Sequence, residues 1–279
     1  MMDTGTPNAL DLDRKYDLNM PQMALGSLSE AWLFRELGDI HWTMISRGLR
    51  AASSELCDAN GDRLYATFTR LRLTCTDSLK AFRENDHVAA HGSISRFGAG
   101  VFFGEIVFGE GAQRIDVRLM SSFTKRSSSS SNMSLLKGQP RVPDDSPITV
   151  LAELPPFAQE YRQLRAAERK PALFAHEYQI LPYHDINGVG LLYFAAYPTI
   201  NDLCELQYFS DDPNWCMRSS TVSRDIHYYG NCDLNDRVLY RIHDREDRNG
   251  RITLSSSLSR VSDGFVIAHL LTTKMVDAS

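Results

Sequence analysis

The chain has 279 residues, 43% apolar and 23% charged, with a formal net charge of −5. That is enough for one large domain or two ordinary ones, and the acidic balance argues against a general nucleic-acid binder. No apolar run approaches the ~20 residues needed to cross a bilayer, the opening MMDTGTPNALDLDRKYDL lacks the pattern of a secretory signal, and five scattered cysteines without a CxxC pair suit a reducing cytoplasm and argue against a zinc site.

Ser27-Leu28-Ser29-Glu30 reads as a capping box, with the Ser27 hydroxyl accepting from the amide of Glu30 and the carboxylate reaching back. Leu33, Leu37, Ile40 and Met44 follow at helical spacing and Ile45 widens the stripe. The spacing predicts a helix over 28–47, stopping at Gly48. His41, on this helix, reads as a packed or surface histidine rather than a base. DANGD (58–62) resembles the start of a calcium loop but lacks the later ligands, so Asn60-Gly61 reads as a hairpin turn. Alternation in LYATFTRLRLTC predicts a strand with Tyr65, Thr67, Thr69, Leu71, Leu73 and Cys75 facing the helix, and Arg70 and Arg72 on the other side. His87 and His91 fall in strand-like sequence, so their spacing implies no metal pair. VFFGEIVFG and RIDVRLMSSFTKR are further strands, the latter with Ile115, Val117 and Leu119 facing together. Gly98, Gly100 and Gly104 read as relief for sheet curvature.

Residues 127–131 are serines, and prolines follow at 140, 143, 147, 155 and 156, a linker composition. PPFAQEYRQLRAAERK then reads as a spacer helix packed on its neighbours, with Phe157, Tyr161 and Leu164 on one face. Beyond it, motifs of the first half return in order. Pro21 and Pro182, Gly26-Ser27 and Asn187-Gly188, Leu28 and Val189, and Trp32 and Tyr193 are all 161 apart. Arg63 and Arg224 keep that offset; Asn85-Asp86-His87-Val88 and Asn235-Asp236-Arg237-Val238 are 150 apart, and Thr124-Lys125 and Thr273-Lys274 149 apart. Collinear matches with one deletion, between Arg224 and Asn235, predict an internal duplication with copies over 20–126 and 181–275. Pro198 is expected to break the second copy's helix, leaving an irregular segment and a helix from about Thr199 to Phe209. RITLSSSLSR, entered through Asn249-Gly250, and FVIAHLLTTK are its last strands. A long helix followed by antiparallel strands is an α+β unit. A curved sheet wrapped around that helix is the hotdog arrangement, and two copies make a double hotdog. The predicted organisation is an N-terminal unit over 18–126, a linker with a helix over 127–172 and a C-terminal unit over 173–279.

MPQMALGSLSEAWLFRELGDIHW, GDRLYATF and DINGVGLLYFAAYP resemble the bifunctional acyltransferase/decarboxylase family of leinamycin biosynthesis. The resemblance runs from about residue 18 to 275 and is poorest in the serine-rich segment. It implies a double hotdog fold serving polyketide assembly, loss of carbon dioxide from methylmalonyl-coenzyme A, and delivery of propionyl to the phosphopantetheine arm of an acyl carrier protein. It also implies an active-site tyrosine at Tyr65.

Such a reaction passes through an enolate. It is helped by donors at the thioester oxygen and by a pocket that solvates the departing carboxylate poorly. No metal or organic cofactor is required. Candidate substrate contacts are Thr67, the helix-start amides near Leu28 and Ser29, and Asn187 with Gly188 at the corresponding point of the second copy. Hotdog thioesterases carry a catalytic carboxylate in a stretch of similar shape, so Asp185 and Asn187 are both candidates; Asn187 reads either as a polarising amide or as a turn residue. Tyr65 reads as an acyl-carrying nucleophile, as an orienting donor, or as a core tyrosine. Two other functions stay open: a hotdog thioesterase or dehydratase acting on carrier-bound thioesters, and a non-catalytic carrier-protein scaffold. Expected partners are an acyl carrier protein and the coenzyme A thioester, with neither nucleic acid nor membrane. A double unit is already paired internally, so a monomer and a homodimer are both compatible.

Overall fold

The computed structural model describes residues 10–127, 131–167 and 170–277; the first residues of the chain and Ser128–Ser130 of the serine run lie outside them. The first half holds β1 (Leu12–Asp17), the short β2 (Met23–Ala24) and β3 (Ser27–Leu28), helix α1 (Glu30–Leu49), and strands β4 (Tyr65–Cys75), β5 (His87–Phe97), β6 (Val101–Phe108) and β7 (Ile115–Lys125). Between the halves lie β8 (Leu136–Gly138), β9 (Thr149–Val150) and helix α2 (Pro156–Ala166). The second half holds β10 (Phe174–Gln179), α3 (Pro182–Asp185), α4 (Ala196–Tyr208), α5 (Trp215–Arg218), β11 (Ser219–Tyr228), β12 (Arg237–Arg248), β13 (Arg251–Arg260) and β14 (Val266–Val276).

One sheet runs β1-β5-β6-β7-β4-β11-β14-β13-β12-β10, with β8 added to β7 and β9 to β5. Outward from the β4–β11 seam, both halves follow the same antiparallel order. Leu33, Phe34, Leu37, Ile40, Met44 and Ile45 of α1 share a core with the inward residues of β4 to β7, Leu71, Leu73, Ile106, Val117 and Leu119 among them. The fold is a double hotdog of the α+β class.

The bulges refine the match between the halves. Thr69 interrupts the β4–β7 register and Val222 the β11–β14 register. These positions are 153 apart (222 minus 69), so Arg224 takes the place of Leu71, not of Arg63, and Thr273 the place of Met120. Most of the shortfall in the second copy, eight of eleven residues (161 minus 153), therefore falls before β11, and the other three (153 minus 150) fall between β11 and β12. Helix α4 has 13 residues against 20 in α1.

Several local expectations shift. Helix α1 is capped by Ser29, whose hydroxyl accepts from the Trp32 amide at 3.3 Å. The predicted box does not form: the Ser27 hydroxyl donates to the Ala24 carbonyl and Glu30 pairs with Arg224. Gly48 lies buried inside the helix against Ile148, and Arg50, at φ 52°, makes the left-handed stop. Pro198 does not break α4, because it sits in the first turn, where an amide has no intrahelical partner to lose. The DANGD segment is a turn: Asp58 accepts from the amides of Asn60 and Asp62, and Lys125 pairs with both Asp58 (2.7 Å) and Asp62 (2.6 Å). His87 and His91 bond Asp17 and Asp13 of β1. His41 is packed, with Nε2 2.8 Å from Ser121 Oγ, and burial pushes its pKa down to about 3. Gly104 is where β6 passes the imidazole: a Cβ there would lie 2.5 Å from His41 Nδ1.

Helix α2 closes the outer face of the seam. Wholly buried Arg70 donates to Asp225 at 2.9 and 2.6 Å and to the Phe157 carbonyl at 2.6 Å, while its guanidinium lies 4.2 Å from the Phe157 ring centre. Arg72 joins Asp225 and Glu160 to the same cluster. Burial alone would raise the Asp225 pKa; Arg70 and His227 more than reverse this and hold it well below the usual carboxylate range.

Candidate active site

The segment 185–194 links α3 to α4 and is rigidly built. Asp185 is wholly buried, where its carboxylate accepts from the Tyr178 hydroxyl (3.0 Å) and the Leu181 amide (2.8 Å) and meets His184 Nδ1 at 2.7 Å. Ile186 and Leu192 form an antiparallel bridge, and Asn187 organises the turn between them. Its amide donates to the Leu191 carbonyl, its carbonyl accepts from Gly190, and its Oδ1 accepts from the amides of Val189 (3.1 Å) and Leu191 (3.0 Å). Asparagine suits this because its side-chain carbonyl stands in for a backbone acceptor. Two amide donors fix Oδ1 as the inward end, and Nδ2 has no partner among the described residues. The turn is anchored by Asn231, which pairs with both the amide (2.9 Å) and the carbonyl (3.1 Å) of Leu192.

This turn faces the start of β4 and the middle of α1 across a cavity of about 380 Å³, lined among others by Arg35, Asp39, Trp42, Arg63, Tyr65 and Asn187. The bulge at Thr69 reverses the alternation that a straight strand would keep. Ladder pairing sets Tyr65 and Thr67 opposite Thr124 and Ser122, whereas Phe68 shares the helix-facing side with Ser121, Leu71 and Leu73. Tyr65 is thus not on the Leu71 face; it is half-buried at the strand's first position, with the Arg63 guanidinium 5.1 Å from its ring centre. Its hydroxyl has no hydrogen-bond partner among the described residues. Thr67 Oγ1 lies 2.7 Å from Thr124 Oγ1.

Tyr197 and Tyr228 also line the cavity but have spent their hydroxyls, on the Gly230 and Phe194 carbonyls at 3.1 and 3.2 Å, and burial raises both pKa values. Asp39 pairs with Arg14 at 2.7 Å. Arg35 and Arg63 form no ion pair among the described residues. No group of three His, Cys, Asp or Glu among the described residues is placed to hold a metal ion, and no helix there is long and apolar enough to cross a membrane.

Of the residues predicted from the sequence, Tyr65, Thr67, Asn187 and Gly188 meet around this cavity. Leu28 and Ser29 are not among its lining residues: Leu28 is buried in the core and Ser29 is spent on its cap. The amides from Gly188 to Gly190, expected at a helix start, belong to a turn instead, because α4 begins only at Ala196. Asp185 points away into its own hydrogen bonds. Sequence reasoning missed Arg35, Trp42, Tyr193 and Asn231. Tyr193, at the end of the repeat's best match, carried a signal; Arg35, on the polar face of α1, carried none.

No protein-family model and no curated protein matches the chain. Solved structures similar to it include one described as an oleoyl thioesterase from Lactobacillus plantarum, with TM-score 0.71 and 11% identity over 98% of this chain and 99% of that one. The 12:0-ACP thioesterase from Umbellularia californica gives 0.64 and 10% over 96% and 95%. An acyl-ACP thioesterase from Bacteroides thetaiotaomicron gives 0.62 and 11% over 95% and 98%. At such identity the likeness establishes the fold, over nearly the whole length.

Proposed function

We propose that this chain is an enzyme acting on acyl thioesters, presented by coenzyme A or by the pantetheine arm of an acyl carrier protein, in the cavity between Tyr65 and Asn187. The observation that carries the reading is the pair of uncommitted donors on facing elements, Asn187 Nδ2 and the Tyr65 hydroxyl. A thioester oxygen gains negative charge in both hydrolysis and enolate formation, and donors fixed in advance lower either barrier. The names of the similar structures, thioesterases of acyl carrier proteins among them, support the same substrate class.

Two reactions fit this site. The similar structures favour hydrolysis. The lining residues favour decarboxylation with acyl transfer, the reaction that the resemblance to the leinamycin family implies for methylmalonyl-coenzyme A. Hydrolysis calls for a base or carboxylate nucleophile, and among the described lining residues the carboxylate is Asp39, committed to Arg14. Decarboxylation calls for donors and a dry wall, supplied by Phe68, Leu192 and Phe194. In this reading the two units are those expected at 18–126 and 173–279, the first extended to take in β1 (Leu12–Asp17), which pairs with β5 as β10 does with β12; the reaction needs no metal or added cofactor, and the setting is cytoplasmic. Intact-mass spectrometry of a phosphopantetheinylated carrier protein, incubated with the protein and either methylmalonyl-coenzyme A or simple acyl-coenzyme A thioesters, is the test. Propionyl on the carrier supports transfer with decarboxylation, free acid supports hydrolysis, and binding without turnover of any thioester defeats the enzyme reading.

A further inference from the structure

We infer that Phe194 fixes how deeply an acyl chain enters this cavity, and that Gly38 is the seat which holds its ring; the inference rests on the thioester reading above. Phe194 comes from the turn segment, not from the sheet or from α1. Its ring packs 4.1 Å from that of Phe68, a residue only 4% exposed. Its tip meets the α1 backbone at buried Gly38, where a Cβ would overlap the ring carbon Cζ. Its backbone is pinned as well, because Tyr228 donates its hydroxyl to the Phe194 carbonyl at 3.2 Å and Asn231 clamps Leu192 two residues earlier. The apolar wall is therefore a phenyl ring wedged between a strand and a helix, with glycine at the helical position that its tip meets.

This arrangement makes opposite predictions for two small changes. Shortening Phe194 joins the space between Gly38 and Phe68 to the cavity and admits further methylenes. Adding a methyl at Gly38 drives the ring outward and shortens the cavity. A pocket discriminates by roughly tenfold or more for each methylene that it accepts or refuses.

The experiment measures binding of non-reactive thioether analogues of straight-chain acyl-coenzyme A, acetyl to lauroyl, to the full-length protein by calorimetry. The wild type is expected to tighten with chain length up to a limit and then weaken. Phe194→Ala should move that limit to longer chains, tightening the first chain refused by the wild type at least tenfold, and Gly38→Ala should move it to shorter ones. Phe194→Leu, a smaller change checked for native circular dichroism, should move the limit in the same direction as the alanine variant. An unchanged limit in folded Phe194 variants and in Gly38→Ala overturns the inference while leaving the thioester reading standing. Failure of the wild type to bind analogues of any length overturns that reading and the inference with it.

Discussion

Replacing Asn187 by aspartate separates the two roles that the residue plays. Its Oδ1 accepts from the Val189 and Leu191 amides at 3.1 and 3.0 Å, and aspartate keeps this acceptor in the same position. The turn should therefore survive with melting temperature unchanged or slightly raised, since an ionised acceptor strengthens each bond. What is lost is the Nδ2 donor, replaced by an oxygen that repels a developing oxyanion. Removing one donor of this kind costs about 3–4 kcal/mol in the transition state, a fall of roughly 10²–10³ in kcat. The assay is thioester turnover under single-turnover conditions, paired with thermal melting. Asn187→Ala provides the contrast: it removes acceptor and donor together, so both stability and rate should fall. Undiminished turnover by a folded Asn187→Asp protein would refute the assignment of Nδ2 to the reacting oxygen and return Asn187 to a purely structural role.

Three further outcomes follow from the same geometry. Tyr65→Phe should leave the melting temperature unchanged, because the hydroxyl has no partner among the described residues, and slow turnover by roughly 10–100-fold if the phenol orients a charged intermediate; complete loss of transfer, with an acyl-tyrosine in the wild-type peptide map, would make it a nucleophile instead, and an unchanged rate would exclude both. Asp225→Ala should cost about 1.5–3 kcal/mol in urea unfolding, since it removes one of the two carboxylates paired with wholly buried Arg70 and leaves Glu160 at 2.9 Å; the folded-state pKa is depressed, so the wild-type advantage is complete above the unfolded value of ~3.9 and shrinks as pH falls below it, and a difference that grew on acidification would contradict the pairing. Gly104→Ala should cost about 1–3 kcal/mol by displacing His41 from Ser121, and a neutral result by chemical denaturation would show that the imidazole has room to move.

How much of this was legible in the sequence depended on whether the signal was local. The stripe from Leu33 to Ile45 places α1 to within two residues, because helical periodicity is carried by the helix itself. Its ends were not legible: Ser27 and Ser29 are both good caps, and the choice was decided by Arg224 drawing Glu30 into an ion pair. The face assigned to Tyr65 failed for a similar reason. Strict alternation holds only in an unbroken ladder, and nothing in LYATFTRLRLTC announces that Thr69 will be left unpaired against β7. The Asn187-Gly188 turn was visible as a turn. That its side-chain oxygen would be consumed and its nitrogen left over required the positions of Val189 and Leu191.

The sharpest divergence between sequence and structure lies where the two copies should be alike. The slot formed in the first half by Phe68, Leu71, His41 and Ser121 has, by the bulge register, Thr221, Arg224 and Lys274 at the corresponding strand positions. There the Thr221 hydroxyl donates to Glu30 at 2.9 Å, Arg224 Nη2 donates to Asp202 at 2.9 Å, and Lys274 donates to Asp202 at 2.7 Å and Glu205 at 2.6 Å. Burial alone would raise the Asp202 pKa, but Arg224 and Lys274 lower it to about 2. Read along the chain, an arginine in VSRDIHYY and a lysine in LLTTK look like residues of a solvated face. They are buried because their partners arrive from α1 and α4, and no window of sequence contains more than part of the set. A buried ion cluster tolerates the loss of any one member poorly, so this slot is packed with mutually dependent charges. The first slot, walled by Phe68 and Phe194, is free to open onto the Tyr65–Asn187 cavity. The duplication supplies the scaffold twice, and the charged cluster accounts for why the cavity is built on one copy's strand and the other copy's turn rather than repeated.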